Sequence, residues 1–401
     1  MDSRNDIRQE IRQGSGLDRR QFVVGLTSAL AFGVLGALQG CAGDAAAAGG
    51  TAAGGGGGGT GATGGTGGTS GGGGAGTGGG SGTGAPSAAA PDTSPLVFVF
   101  YPDASSADMT ASREAFADAI KAACGREVEV MLTTDYNVAI ESIANGSADI
   151  AQMGAEGYIQ ANKKNGAVQA AWTNSDDNGS LELACYYSRI CVRPEDLANY
   201  ESGSGFTLEP LRDKSFSFVS ASSTSGFKVP SSVIVGEFGL DSNEVLLEGG
   251  QFFSEVLFGN SHQGSVVNLV SGAAQAAAFD DIDVDMYLEL VSGEANMPGA
   301  LYRVRDDAED PFTDVRGGEF VIISSTPVLN TPYVFNTETV DEATRTAIVE
   351  HMCSDAVADD PRIFKDPDDE TAMAIHTKKT EATCFLPVTD SWYDPIRRLS
   401  S

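Results

Sequence analysis

Two hydrophobic periods alternate along this chain. Residues 96–101, Leu-Val-Phe-Val-Phe-Tyr, form a β-branched and aromatic run that predicts a buried strand. Residues 109–124 place Phe116, Ala119, Ile120 and Ala123 at helical spacing and stop before Gly125. A second strand is predicted over 128–132. A short helix over 137–144 closes at Asn145-Gly146, and a third strand over 148–153 runs up to Gly154. Further on, 215–221 and 319–324 read as strands, and 225–238, 265–269 and 339–353 as helices. Residues 181–192 make a long apolar run that encloses Tyr186, Tyr187 and Arg189, and 273–279 is alanine-rich. Strands alternating with helices argue for βα units on parallel sheets, an α/β fold.

The first 95 residues follow another logic. Of the 50 glycines in 401 residues, 24 fall between Ala42 and Pro95. Such a stretch has no bulky apolar side chain with which to offset its ordering entropy, so 42–95 is expected to be a disordered linker. Before it, Arg19-Arg20-Gln21-Phe22 opens an uncharged run that ends in Leu38-Gln39-Gly40-Cys41. The twin arginines resemble a twin-arginine export signal, and Leu-x-Gly-Cys resembles a lipobox in which Cys41 takes lipid. Residues 1–41 are thus expected to be a lipoprotein signal. A plain membrane anchor is the other reading of the run, and both place the rest of the chain outside the cytoplasm.

Charge narrows the partners. The formal net charge is −30, of which residues 1–95 contribute only −1. A folded part this acidic excludes nucleic acid or an anionic lipid surface as its main partner. After Cys41 five cysteines remain, at 124, 185, 191, 353 and 384, with no Cys-x-x-Cys spacing and no His/Cys cluster, so no metal site is expected.

Four segments carry chemistry. Ser223-Thr224-Ser225-Gly226 links a strand to a helix, and free N–H groups with hydroxyls at a helix start make an anion site. Simple N-capping is the competing reading. The same segment holds Ser225-x-x-Lys228, the spacing of a serine acyl-enzyme, although no Lys-Thr-Gly partner accompanies it. His262 lies in Ser261-His262-Gln263-Gly264-Ser265, where it can donate to an oxyanion. Asp280-Asp281-Ile282-Asp283-Val284-Asp285 lacks the glycine and glutamate of an EF-hand loop. That leaves helix capping, or one aspartate facing a ligand. Tyr136 follows the second strand, and Glu156 and Tyr158 follow the third, at the ends where open α/β sheets bind ligands.

In order, Thr134-Asp135-Tyr136, Gly146-x-Ala148-Asp149-Ile150-Ala151 with Gly154 and Tyr158, Ser223-Thr224-Ser225-Gly226-Phe227 with Pro230, Ser261-His262, Gly272-x-x-x-Ala276-Ala277-Ala278 with Asp280, and Phe385-Leu386-Pro387-Val388 together resemble the phosphate/phosphite/phosphonate-binding subunits of ABC importers. The resemblance spans about 96–398. It implies a two-lobed type II periplasmic-binding-protein fold, each lobe a mostly parallel sheet flanked by helices, with two crossing hinge strands. Lobe 1 would hold 96–187 plus 319–401, and lobe 2 would hold 188–318.

The resemblance also implies that Ser223, Thr224, Ser225 and Gly226 grip a small phosphorus oxyanion, helped by His262, Tyr136 and Tyr158, with Asp280 lining the site. It implies no cofactor, no catalysis and a monomer, lipid-anchored outside the cell membrane, that delivers its ligand to an ABC permease and its ATPase. One departure stands out. The family commonly has Gly-Pro-x-Ser-Tyr where this chain has Gly154-Ala155-Glu156-Gly157-Tyr158. A ligand hydroxyl is lost at 157, and Glu156 adds a carboxylate that suits an amine or a protonated oxyanion. Tyr187, Arg189 and Lys228 are the cations and donors able to compensate. A receptor for an amine-bearing or other small polar solute is therefore the alternative reading on the same fold.

Overall fold

The computed structural model describes residues 93–102, 109–203, 205–369 and 372–399. Cys41, the expected signal and the glycine tract lie outside the described residues. Among the described residues no helix is long and apolar enough to cross a membrane.

The chain begins with three βα units: β1 (Leu96–Phe100), α1 (Thr110–Cys124), β2 (Val128–Leu132), α2 (Tyr136–Asn145), β3 (Ile150–Gln152) and α3 (Ala155–Lys164). Strand β4 (Val168–Asn174) follows. Helix α1 stops at Gly125 and α2 at Gly146, both in the left-handed conformation that glycine adopts without strain. Asp135 caps α2, its side chain accepting from the Asn137 N–H at 2.7 Å.

After residues 175–184 the chain enters a second sheet. It builds β5 (Cys185–Val192), β6 (Ser215–Phe218), α4 (Val229–Phe238), β7 (Glu255–Phe258), α5 (His262–Val270) and β8 (Ala276–Asp280). Strands β9 (Leu288–Ser292), β10 (Leu301–Val304) and β11 (Glu319–Leu329) complete that sheet. Residues 330–332 lead back to β12 (Tyr333–Asn336), α6 (Glu342–Met352), β13 (Phe385–Pro387) and the short α7 (Asp394–Arg398). The stretch from Glu319, expected to return to lobe 1, thus stays paired in the second sheet as far as Leu329, and residues 185–187 pair there too.

The first sheet has the order β13-β4-β12-β3-β1-β2 and the second β9-β10-β11-β5-β8-β6-β7. Both are mixed. The βα units give parallel pairs, β1 with β2 and β3, and β6 with β7 and β8. Strands that arrive from the other sheet, or from a hairpin, run antiparallel: β12 against β3 and β4, and β5 against β8 and β11. Strand β11 pairs with β5 from Val321↔Val192 to Leu329↔Cys185, with a bulge between Ile322 and Ser324.

Inside the exposed edge strands β2 and β9, each sheet is buried on both faces, and strand alternation divides the core. In β1, Leu96, Phe98 and Phe100 join Phe116, Trp172 and Tyr333 on one side, while Val99 and the following Tyr101 join Tyr136, Ile140 and Tyr158 on the other. In β8, Ala276 and Ala278 face Phe216 and Phe218, and Ala277 and Phe279 face Val266 and Phe320. Val219 and Val229, which flank the hydroxyl-rich turn, pack into the cluster of the first sheet that holds Tyr101 and Tyr136. The apolar core is therefore continuous between the two sheets beneath that turn.

Candidate functional site

The hydroxyl-rich segment follows β6 and forms one π-helical turn, Thr224–Lys228, which leads into α4. The Lys228 N–H donates to the Ser223 carbonyl at 3.0 Å, the wide bonding typical of single π turns at functional sites. Ser223 caps the turn, its Oγ accepting from the Gly226 N–H at 3.0 Å. Gly226 is a steric requirement, since a Cβ there would lie 2.2 Å from Val219 Cγ2. The helix expected from Ser225 thus begins as this wider turn, one residue earlier at Thr224, and all of the turn's residues are buried.

Helix α5 and the end of β8 supply the second set of groups. Ser261 caps α5 by accepting from the Gly264 N–H at 3.0 Å, which leaves His262 as the first helical residue. The Asp280 N–H donates to His262 Nδ1 at 2.9 Å. A neutral ring then carries its proton on Nε2, which faces Asp280 Oδ2 at 3.2 Å and Ser223 Oγ at 3.5 Å. Ser225 Oγ donates to the same Oδ2 at 3.0 Å, and the Asp283 N–H donates to Oδ1 at 3.1 Å. One buried carboxylate therefore orients the serine and the imidazole together. Tyr186 of β5 lies beside Ser225, and burial, reinforced by the Asp280 charge, pushes its phenol well above the usual range.

The first sheet meets this turn directly. Thr224 Oγ1 accepts from the Glu156 N–H, at the start of α3, at 2.8 Å. A Cβ on Gly154 would lie 2.7 Å from that same hydroxyl. Glu156 is itself buried, 8% exposed. Its Oε1 accepts from Gln160 Nε2 at 3.0 Å, and its Oε2 is enclosed without a partner. Ser222 Oγ donates to Asn137 Oδ1 at 2.9 Å, a second bridge between the two halves. Lys228 lies within the field of Glu156. Burial holds its ammonium below the ordinary value, with Glu156 opposing that shift.

Ser223, Thr224, Ser225, Gly226, His262, Asp280 and Glu156 are thus brought together. Tyr136 opens α2, buried, with its ring edge-on to Tyr101 at 4.4 Å between centroids. Tyr158 is not part of this group. Its hydroxyl donates to Asp390 Oδ1 at 2.5 Å, and its ring packs edge-on against Tyr393 at 5.6 Å. Arg397 pairs with the same Asp390 and lies over the Tyr158 ring.

Two of the expected compensating groups are also committed elsewhere. Arg189 is fully buried and holds Asp285 through two bonds of 2.6 and 2.8 Å. Tyr187 is turned toward Cys185, and burial pushes its phenol up to about 12. Sequence reasoning missed Tyr101, Ser222, Asn137 and Gln160. Ser222 and Asn137 each adjoin a predicted site residue, which was the available signal.

The geometry bears on chemistry. The Ser225 proton is directed at a carboxylate that orients it, and a hydroxyl so engaged is not primed for acyl transfer by Lys228. His262, Asp280 and Asp283 bring ligand atoms within 4.8 Å of one another. His262 Nδ1, however, is already accepting from a backbone N–H, so its lone pair does not point into that group.

The fold has counterparts among solved structures. A binding-protein component of an ABC phosphonate transporter from Pseudomonas aeruginosa superposes with a TM-score of 0.52 at 15% identity, over 77% of this chain and 86% of that one. A protein from Prochlorococcus marinus, in complex with methylphosphonate, superposes with a TM-score of 0.55 at 15% identity, over 77% of this chain and 97% of that one. Residues 98–393 match the family model described as the phosphonate ABC transporter periplasmic substrate-binding protein. The chain belongs to that family of periplasmic substrate-binding proteins, whose members serve transport and are not enzymes.

Proposed function

We propose that this protein is a lipid-anchored receptor that binds a small phosphorus oxyanion, a phosphonate before phosphite or phosphate, between its two halves. The observation that carries this reading is the 2.8 Å bond from the Glu156 N–H to Thr224 Oγ1, which brings a helix start of one half against the hydroxyl turn of the other. Backbone N–H groups and hydroxyls can hold one small anion without a basic side chain. Ser223, Thr224, Ser225 and Gly226 would grip the oxygens, with His262 Nε2–H and Tyr136 as further donors, and Ser225 and His262 would exchange their present bonds to Asp280 for the ligand. Asp280 would hold Ser225 and His262 in position. The methylphosphonate carried by the Prochlorococcus counterpart supports the choice of ligand class.

Closure would be a hinge motion about the crossings at 175–184 and 330–332, biased by contacts from both halves. Export through the twin-arginine signal, lipidation of Cys41 and the glycine tract would let the receptor reach an ABC permease while tethered. A flexible linker of this length spans roughly 40 Å. Titration calorimetry of the full chain with methylphosphonate, 2-aminoethylphosphonate, phosphite and phosphate tests the ligand class. Heat with none of the four would sink it.

Glu156 favours a second reading, in which the ligand carries an amine. A buried carboxylate oxygen without a donor is costly, and an ammonium group would satisfy it. On this reading Glu156→Gln weakens 2-aminoethylphosphonate by about tenfold and leaves methylphosphonate within about twofold. Equal effects on both ligands would show that Glu156 reads no amine.

A further inference from the structure

Tyr101 immediately follows β1, at the carboxyl end of a strand with parallel neighbours on both sides. Open α/β sheets hold their ligands beyond such ends. The side chain is 4% exposed and sits against the first turn of α3. A Cβ on Gly157 would lie 1.5 Å from the Tyr101 hydroxyl and 2.7 Å from its Cζ. The phenol therefore occupies the volume that any side chain at 157 would need. A Cβ on Gly154 would meet both the Tyr101 ring, at 3.8 Å, and Thr224 Oγ1, at 2.7 Å. Ring, helix start and hydroxyl turn converge on one spot, and the other edge of the ring meets Tyr136.

We infer that Tyr101 is a ligand-binding residue. Its hydroxyl stands where a side-chain hydroxyl at 157 would otherwise stand, and it donates to an oxygen of the bound anion. Gly157 is then the steric partner of that phenol, and Tyr101 and Gly157 form a pair that must change together. The inference rests on the oxyanion reading above, and it gives a function to a residue that the ordered motifs do not include. A phenol is a donor at neutral pH and reaches further than a serine. A binding site built on it favours anions small enough to fit beneath the ring.

The test is calorimetry of the full chain with methylphosphonate, together with thermal melts. Tyr101→Phe is expected to weaken binding by about tenfold with the melting temperature within about 2 °C of the parent. Gly157→Ala drives the phenol from its place and is expected to weaken binding comparably. In the double variant the two losses should not multiply, because the hydroxyl is already displaced. Binding by Tyr101→Phe within about twofold of the parent, or multiplying losses, would overturn the assignment. A second readout does not depend on the stability of the variants. In the parent protein labelled with 13C at tyrosine Cζ, the resonance absent from Tyr101→Phe should move on saturation with methylphosphonate, and a stationary resonance overturns the proposal. If the parent takes up none of the phosphorus anions, the oxyanion reading falls and this one with it. If the parent binds and the Tyr101 variants bind equally well, only the role of Tyr101 falls.

Discussion

Asp280 shows how one residue sets the state of its neighbours. It accepts from Ser225, from the Asp283 N–H and from His262 Nε2, while its own N–H fixes the tautomer of that histidine. The carboxylate fixes both side chains in place, but it also holds their protons, so a ligand must compete with Asp280 for those two hydrogen bonds. Tyr158 shows the reverse case. In sequence it matches Tyr136, a tyrosine just beyond a strand end. Tyr136 is the first residue of α2, whereas Tyr158 is the fourth of α3 and is turned inward by the helical rotation. Burial first, then the bond to Asp390, keeps its phenol protonated at any ordinary pH. Tyr158→Phe should therefore cost about 1.5–3 kcal/mol of unfolding free energy, the range of a hydrogen bond to a charged group, and leave methylphosphonate affinity within about twofold. Urea titration and calorimetry read the two effects separately. A tenfold loss of affinity at unchanged stability would return Tyr158 to the site.

At the scale of elements, the aspartate run after β8 is the clearest example of what a sequence leaves open. Capping, ligand binding and cation binding all fit Asp280 to Asp285. Packing gives each side chain a different partner. Asp281 accepts from the Tyr187 N–H at 2.8 Å and from Asn296 Nδ2 at 2.9 Å, and Asp285 pairs with Arg189. Arg189 is fully buried in the middle of β5, with Asn296 Oδ1 at 2.7 Å and the Tyr302 ring at 4.7 Å from its guanidinium carbon. Only the guanidinium side of this pair is fully buried, the Asp285 side chain being 41% exposed, and Asp281 shares its field, so Asp285→Asn should destabilise the protein by about 1–3 kcal/mol. Replacing both partners by Met and Leu should recover most of that loss, and urea unfolding checks both variants. A small loss in Asp285→Asn would mean that the pair is dispensable.

The same contrast governs the fold. Strand β1, helix α1, β2 and the strand entering the hydroxyl turn carry long enough patterns to be read from the chain. Helix α3 was hidden by Gly157, which costs a helix about 1 kcal/mol relative to alanine, and by the polar run to Lys164. Strands β12 and β13, of four and three residues, are no shorter than β6 and β3, but they lack the glycine- or hydroxyl-rich turn that marks the ends of those strands. The antiparallel pairings come from the chain crossing between sheets, which no local pattern encodes. The hydroxyl turn was legible because its chemistry is contiguous. Tyr101 was not, because its relation to Gly157 exists only in space.

For the whole molecule, acidity acts in two opposing ways. The formal charge of −30 repels itself at neutral pH, so protonating surface carboxylates relieves strain on the compact state. Against this stands His376, enclosed by Phe116, Phe364 and Phe385 and bonded through Nε2 to the Tyr333 hydroxyl at 2.7 Å. Burial lowers its pKa from 6.5 to about 3. The sign follows from proton uptake. Between those two values the unfolded chain binds a proton at this site and the folded protein does not, so stability falls as pH drops below 6.5 and the loss is complete only near 3. His376 is half-buried, so by pH 5 the loss amounts to at most about 2 kcal/mol, before the relief of surface repulsion sets in fully at lower pH. Unfolding free energy should therefore decline from pH 7 to 5 in the parent, and His376→Gln should flatten that limb while lowering stability at pH 7 through the lost packing. Urea titrations at unit pH steps, at constant ionic strength, measure both curves. An unchanged slope in His376→Gln would assign the acid limb to the carboxylates instead, and a parent that gains stability between pH 7 and 5 would show that relief of charge repulsion outweighs the histidine.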